Sequence, residues 1–395
     1  MNPLLSALRP YPFDRLNALF EGVTPPAAQP LIKLSVGEPR HAPPAVAVDA
    51  LRNNLDLLAV YPPTKGEARL REAQAYWMRG RHRVDVDPDT QVLPVNGTRE
   101  ALFAIAQNCV DAANAPLFGC PNPFYQIYEG ATLLAGGQTV LMDTRAENHF
   151  LPQPDMLDTK TWQAMSVLYL CSPGNPSGAV MTSDLLQAFI TRAIEHDVVI
   201  VSDECYSEIY PDEKSPPSGL LAACRDMGNV SFQNCISMHS LSKRSNLPGL
   251  RSGFAAGDAR LMREFLRYRG YHGSAMPPHH QRASEAAWLD ETHVRENRVL
   301  YREKFAAVRE ILAPWLDLNQ PEGSFYLWPD TGMDDETFAQ RLYAEQAVVV
   351  LPGSYLGRET PVGNPGAGRV RIALVPDLAD CTEAASRIVN FVKSL

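Results

Sequence analysis

Nothing in the 395-residue chain approaches the run of about 18 apolar residues that a membrane helix needs, so no span is expected. There is also no CxxC pair. The seven cysteines (Cys109, Cys120, Cys171, Cys205, Cys224, Cys235 and Cys381) are odd in number and scattered, which points to reduced thiols in a cytoplasmic protein rather than a disulfide frame. Positive charge is in deficit: 36 Lys and Arg stand against 45 Asp and Glu, a net charge of −9. That balance argues against a nucleic-acid or anionic-membrane partner, while leaving room for a local basic pocket. The N-terminal stretch is interrupted by Arg9, Pro10, Pro12 and Asp14 and lacks an apolar signal core, so no signal peptide is expected. Thirty-three prolines punctuate the chain without forming a low-complexity linker or a fixed-period repeat. What remains is ordinary globular composition, 45% hydrophobic and 21% charged, in a chain long enough for a large domain and a smaller one.

From about residue 98 onward, helical and strand patterns alternate. Residues 99–110 read as a helix, and 166–171 as a buried strand. Residues 184–196 place Leu185, Leu186, Phe189, Ile190, Ala193 and Ile194 on one helical face. Short apolar runs follow at 198–202 and 235–240. Such alternation predicts an α/β fold, with a mostly parallel central sheet sandwiched by helices. Farther on, a helical stretch over roughly 280–313 precedes strand-like runs at 324–328, 347–351 and 369–375. This part reads as a smaller α+β domain. The expected division is an arm and small-domain segment over 1–40, a large domain over 41–275 and a small domain over 276–395, which the N-terminal segment helps to build.

Ligands of open α/β sheets gather where strands end at their carboxyl termini. The run 166–171 is followed by "SPGNPSG", with Asn175; 198–202 by Asp203; and 235–240 by "SLSK", with Ser240 and Lys243. An amide, a carboxylate and an amine thus leave consecutive strands. A lysine held neutral can form a Schiff base with an aldehyde cofactor. Pyridoxal phosphate also needs a carboxylate at its ring nitrogen, a place for Asp203, and donors at its phenolate oxygen, where Asn175 and Tyr206 are candidates. Its phosphate calls for hydroxyls, cations and backbone N–H groups at a helix start: Ser240, Arg251, Thr98 and the opening of the 99–110 helix. Each residue alone has an ordinary reading. Lys243 and Arg251 could be solvated surface charges, Asp203, Ser240 and Thr98 helix caps, Asn175 a turn residue, and Tyr206 core packing. Those ordinary readings predict no relation among the residues, whereas the observed order has one.

Across nearly its whole length the chain resembles the class I/II aminotransferases of pyridoxal-phosphate fold type I. The carrying stretches are "GEP" (37–39), "NGTREAL" (96–102), "PNPFYQIY" (121–128), "SPGNPSG" (172–178), "DECYSEIY" (203–210), "SLSKRSNLPGLRSG" (240–253), "PEGSFYLW" (321–328), "PGSYLG" (352–357) and "GRVRIAL" (368–374). The resemblance implies that Lys243 bonds the cofactor aldehyde and shuttles the proton, and that Asp203 partners the ring nitrogen. Asn175 and Tyr206 would hold the phenolate oxygen, and Tyr125 would stack on the ring. Thr98, Arg99 through its backbone, Ser240 and Arg251 would bind the phosphate, with Tyr61 reaching the phosphate of a neighbouring subunit in a homodimer with shared active sites. Arg371 would grip the substrate α-carboxylate, helped by Gly37 and Asn175. Arg369 alternates with Arg371 and is expected to face the other way, at the surface.

A narrower resemblance, to the proteobacterial N-succinyldiaminopimelate aminotransferases, rests on "MNPLLSALRPYPFDRL", "SDECYSEIY", "SLSKRSNLPGLRSGF", "YHGSAMPPHHQRAS" and "GNPGAGRVRIALV". It implies ping-pong transfer from L-glutamate, releasing 2-oxoglutarate, to N-succinyl-2-amino-6-oxopimelate in lysine and diaminopimelate biosynthesis. Another aminotransferase specificity (glutamate–pyruvate, aromatic or branched-chain), a pyridoxal-phosphate β-lyase and a non-enzymatic ligand-binding regulatory module remain alternatives. Polyanionic substrates need a second cation, for which Arg40, Arg99, Arg269 and His272 are candidates by position. His279 and His280 lack a third ligand, so no metal is expected there.

Overall fold

The computed structural model describes residues 1–111, 114–318 and 321–395. Among the described residues there are twelve strands: β1 (Ile32–Lys33), β2 (Val92–Val95), β3 (Leu117–Asn122), β4 (Gln138–Asp143), β5 (Met165–Cys171), β6 (Val199–Asp203), β7 (Cys235–Ser240), β8 (Gly253–Gly257), β9 (Tyr326–Leu327), β10 (Val348–Val349), β11 (Leu351–Pro352) and β12 (Val370–Ala373). Seven of them make the central sheet, in the order β2-β8-β7-β6-β5-β3-β4. β4, β3, β5, β6 and β7 run parallel, and β8 runs against both of its neighbours, β7 and β2.

Period-two alternation explains why this sheet is covered twice. Leu168 and Leu170 of β5, Ile200 of β6 and Phe254 and Ala256 of β8 enter one apolar cluster. Their neighbours Val167, Tyr169, Val199, Val201 and Ala255 enter another. A strand buried on both faces reads as a continuous apolar run, as the β5 sequence does. The helix Ser183–Glu195 starts where Thr182 Oγ1 accepts from the Leu185 N–H at 3.2 Å, and it buries Leu186, Phe189, Ile190 and Ala193.

The smaller unit draws on both ends of the chain. β1 pairs in parallel with β10, and β12 lies between β11 and β9 in an antiparallel sheet. Ile32 and Leu34 pack with Val348, Val370 and Ile372 against the helix Leu378–Val392. The helical stretch read as continuous over 280–313 is two helices, Pro278–Leu289 and Thr292–Leu312, interrupted at Asp290 and Glu291. The first of these packs through Ala283, Ala287 and Trp288 with the core of the large sheet, so that core extends past residue 276. No helix among the described residues is long and apolar enough to cross a membrane.

Candidate active site

A cavity of about 430 Å³ opens at the carboxyl ends of the parallel strands. Its walls include Gly37, Thr98, Arg99, Tyr125, Asn175, Asp203, Tyr206, Ser240, Lys243, Arg251 and Arg371. Every residue assigned from the sequence to the cofactor or to the substrate α-carboxylate therefore lines one space, with the exception of Tyr61. That tyrosine is 97% exposed and stands away from this chain's own cavity.

Strand direction accounts for the convergence. β6 ends at Asp203, β5 leads into Asn175, and β7 ends at Ser240, which caps the turn bearing Lys243 through a 3.1 Å bond from the Ser242 N–H. Arg251 precedes a strand rather than following one. Because β8 runs antiparallel, its start lies at the same edge: Gly253 pairs with both Ser240 and Val95. The Val95 pairing brings up Gly97, whose φ of +80° is a left-handed value that glycine adopts without strain. A Cβ at Gly97 would also collide with the Arg251 guanidinium. The glycine thus lets the arginine lie against the start of the helix Thr98–Asn108, where free N–H groups and two side-chain donors make an anion cradle.

Asp203 is 3% exposed. Burial raises its pKa, while the Tyr128 hydroxyl, donating to Oδ2 at 3.0 Å, and the Cys205 N–H, donating to Oδ1 at 3.3 Å, oppose the rise. An acid so placed is stabilised as a carboxylate by a cationic partner in the cavity, which a protonated pyridine nitrogen would be. The Lys243 amine donates to the Gly37 carbonyl. Burial is the largest cause lowering its pKa to about 8, and Arg371 and Arg251 add to the effect. A larger fraction of this amine is therefore neutral near pH 7 than for an ordinary lysine.

Arg371 is buried in the cavity wall. Nη1 donates to Asn175 Oδ1 at 2.9 Å, Nη2 donates to the Ser35 carbonyl at 2.8 Å, and Nε has no partner among the described residues. Its guanidinium lies 4.4 Å from the Tyr326 ring centre. Tyr326, in turn, shares a 2.9 Å hydrogen bond with the Tyr206 hydroxyl and occupies the space that a side chain at Gly37 would fill. Sequence reading missed Tyr326 and Tyr128 as parts of the site. "SFYLW" offered a strand and an aromatic run, but no sign of which ring turns inward. It also missed Tyr11, Pro12 and Phe13, which bring the arm onto the cavity.

Several expectations change. Arg369 does face away from the cavity, but it is not a free surface residue. It donates to the Trp328 carbonyl at 3.0 Å and lies 4.9 Å from the Phe150 ring centre, because the edge of the small unit folds over it. Arg269 cannot serve as a distal cation: it is fully buried and spent on Glu100 at 2.6 Å and the Ser274 carbonyl at 2.8 Å. Arg40 and His272 lie outside the cavity lining, whereas Arg99 belongs to it, its guanidinium 5.6 Å from the Tyr11 ring centre.

The family model for "Aminotransferase class I and II" matches residues 29–388. The chain belongs to this family. Its members depend on pyridoxal phosphate, and the donor set described above fits that cofactor: an acid for the ring nitrogen, an amine for the aldehyde and a helix start with cations for the phosphate. An aminotransferase from Neisseria meningitidis superposes with a TM-score of 0.96 at 46% identity, covering 99% of this chain and 100% of that one. The "probable N-succinyldiaminopimelate aminotransferase" of Thermus thermophilus superposes with a TM-score of 0.83 at 28% identity, covering 97% and 100%. An LL-diaminopimelate aminotransferase of Aquifex aeolicus is 31% identical over 98% of this chain and 97% of its own.

Proposed function

We propose that this aminotransferase carries the amino group of L-glutamate to N-succinyl-2-amino-6-oxopimelate in diaminopimelate and lysine biosynthesis. The observation that carries the reading is the set of cations in one cavity: beside Lys243 and Arg251 stand Arg371, its fork set between Asn175 and Ser35, and Arg99, which makes no ion pair among the described residues. Two further cations suit substrates with a carboxylate at each end, which glutamate and the succinylated oxopimelate both have.

When bound, pyridoxal phosphate supplies a reactive aldehyde and a ring that withdraws electrons from the substrate Cα. The chain supplies the rest. Arg371, Asn175 and the Gly37 backbone hold the α-carboxylate, fixing the Cα–H bond beside Lys243. The Lys243 amine would take the proton from the substrate Cα and hold it for return across the amino nitrogen. Asp203 would keep the pyridine nitrogen charged, Tyr206 and Asn175 would serve the phenolate oxygen, and Tyr125 would pack on the ring. Thr98, Ser240, Arg251 and the backbone at Arg99 would anchor the phosphate, while the Arg99 guanidinium would meet the distal carboxylate. Tyr61 reaches the phosphate of a second copy. Its exposure, together with that of its sequence neighbours Leu58 and Val60 at 67% and 55%, supports a homodimer that buries this apolar stretch.

A second reading, LL-diaminopimelate itself as the amino donor, is favoured by similarity, near 30% identity, to LL-diaminopimelate aminotransferases. Initial rates with glutamate and a panel of oxoacids separate the two. The succinylated oxopimelate should exceed the unsuccinylated compound, pyruvate and aromatic oxoacids in kcat/KM. A preference for the unsuccinylated compound would replace the first reading with the second.

A further inference from the structure

Behind the catalytic edge, on the opposite face of the sheet, three donors converge without being used by the chemistry above. His82 ends the helix Ala68–His82, Glu204 follows β6, and His239 lies in β7. Their relative exposures are 5%, 2% and 1%, and their ligand atoms lie within 4.8 Å of one another. Nε2 of His82 and both ring nitrogens of His239 have no hydrogen-bond partner among the described residues. Glu204 Oε1 accepts from the Leu220 N–H at 2.8 Å, while Oε2 is 3.7 Å from His239 Nε2.

Buried polar atoms are almost always satisfied, and a buried carboxylate is normally paired with a cation or bound to a metal. The nearby Arg81 does not provide that pairing, because its guanidinium is engaged by Glu208 at 2.7 Å. Two imidazoles and one carboxylate form a donor set for zinc and similar divalent transition metals. Side-chain rotation of about an ångström would bring these atoms to the ~3.4 Å separations of ligands bound at about 2.1 Å. Gly219 backs the cluster: a side chain there would come within 2.7 Å of Glu204 Oε2 and 2.9 Å of His82 Cε1. We propose that His82, Glu204 and His239 form a buried three-donor site for one divalent transition-metal cation of the zinc class.

Its location gives it a structural task. Glu204 is next in sequence to Asp203, His239 is next to Ser240, and the Glu204 N–H donates to the Met238 carbonyl at 3.0 Å. A cation there ties together the two strand ends that present the ring-nitrogen acid and a phosphate hydroxyl on the other face. It needs no part in the reaction, so the site stands or falls independently of the substrate reading.

The test is metal content. The holoenzyme is expressed in zinc-supplemented medium, dialysed against chelator and analysed by mass spectrometry, beside Glu204→Gln and His239→Gln. About one zinc per chain in the wild type and almost none in either variant is the expected result for a buried site built from these three donors. Wild-type protein without zinc overturns the proposal, and so does full occupancy in both variants. Should a variant fail to fold, zinc-edge X-ray absorption of the wild type decides. Nitrogen and oxygen ligands uphold the site; sulfur ligands, supplied by the free cysteines, overturn it.

Discussion

Lys243 and Lys304 share an electrostatic condition and little else. Burial lowers the pKa of each to about 8. Lys243 faces a cavity of about 430 Å³ with two arginines beside it. Lys304 sits in the helix Thr292–Leu312, 3% exposed, with Nζ 2.6 Å from His41 Nε2 and donating to the Val375 carbonyl at 3.3 Å. One amine has room for a ligand, and the other is already tied between the N-terminal stretch and the small unit. A depressed amine pKa therefore marks a reactive lysine only when open space accompanies it.

The sharpest way to break this contrast is to remove each amine. Lys243→Ala should abolish the cofactor's visible absorption band and cut transamination by about three orders of magnitude or more, the range for loss of a positioned general base. Lys304→Met should keep the band and retain kcat within a few-fold of wild type. Equal losses in the two variants, read by absorption and initial rates, would erase the distinction.

A smaller effect is expected from Arg371→Lys. Lysine keeps the charge but loses the fork that spans Asn175 and Ser35, which should cost about 2 kcal/mol, or roughly thirtyfold in kcat/KM, for donor and acceptor alike. Loss confined to one half-reaction would mean that Arg371 does not hold the carboxylate common to both.

The smallest effect lies in stability against pH. Folding lowers both lysine pKa values from 10.5 to about 8, so the charged amines are disfavoured in the native state. Their destabilising contribution is full below pH 8 and fades as pH rises from about 8 to 10.5, where the unfolded chain also loses these protons. Urea midpoints of the cofactor-free protein should rise across this window through these two groups, and Lys304→Met should flatten the rise. An unchanged slope in that variant would show that Lys304 is not charged in the unfolded chain and neutral in the native one.

How much of this was legible beforehand varies with the physics. The alternation of apolar runs announced β5, β6 and β7 nearly to the residue, since a strand buried on both faces must be apolar throughout. Asn175, Asp203 and Ser240 were legible because each leaves such a strand at its carboxyl end. Arg251 was harder: its place depends on β8 reversing direction, and an apolar stretch carries no mark of direction. The break at Asp290 and Glu291 was hidden, because the residues on either side favour a helix. Arg269 and Arg99 look alike as letters, but one is spent on Glu100 and the other faces the cavity.

By itself, the sequence determined which residue types leave which strands, in what order, and that the large sheet would be covered on both faces. Only the tertiary structure decided that Tyr326 seals Gly37, that Tyr128 holds Asp203, and that Arg371 lines the cavity while Arg369 is tucked away. Local patterns record burial and period. Which side chains meet across hundreds of residues depends on strand direction, register and the packing of the two units, and none of these is written in any single stretch.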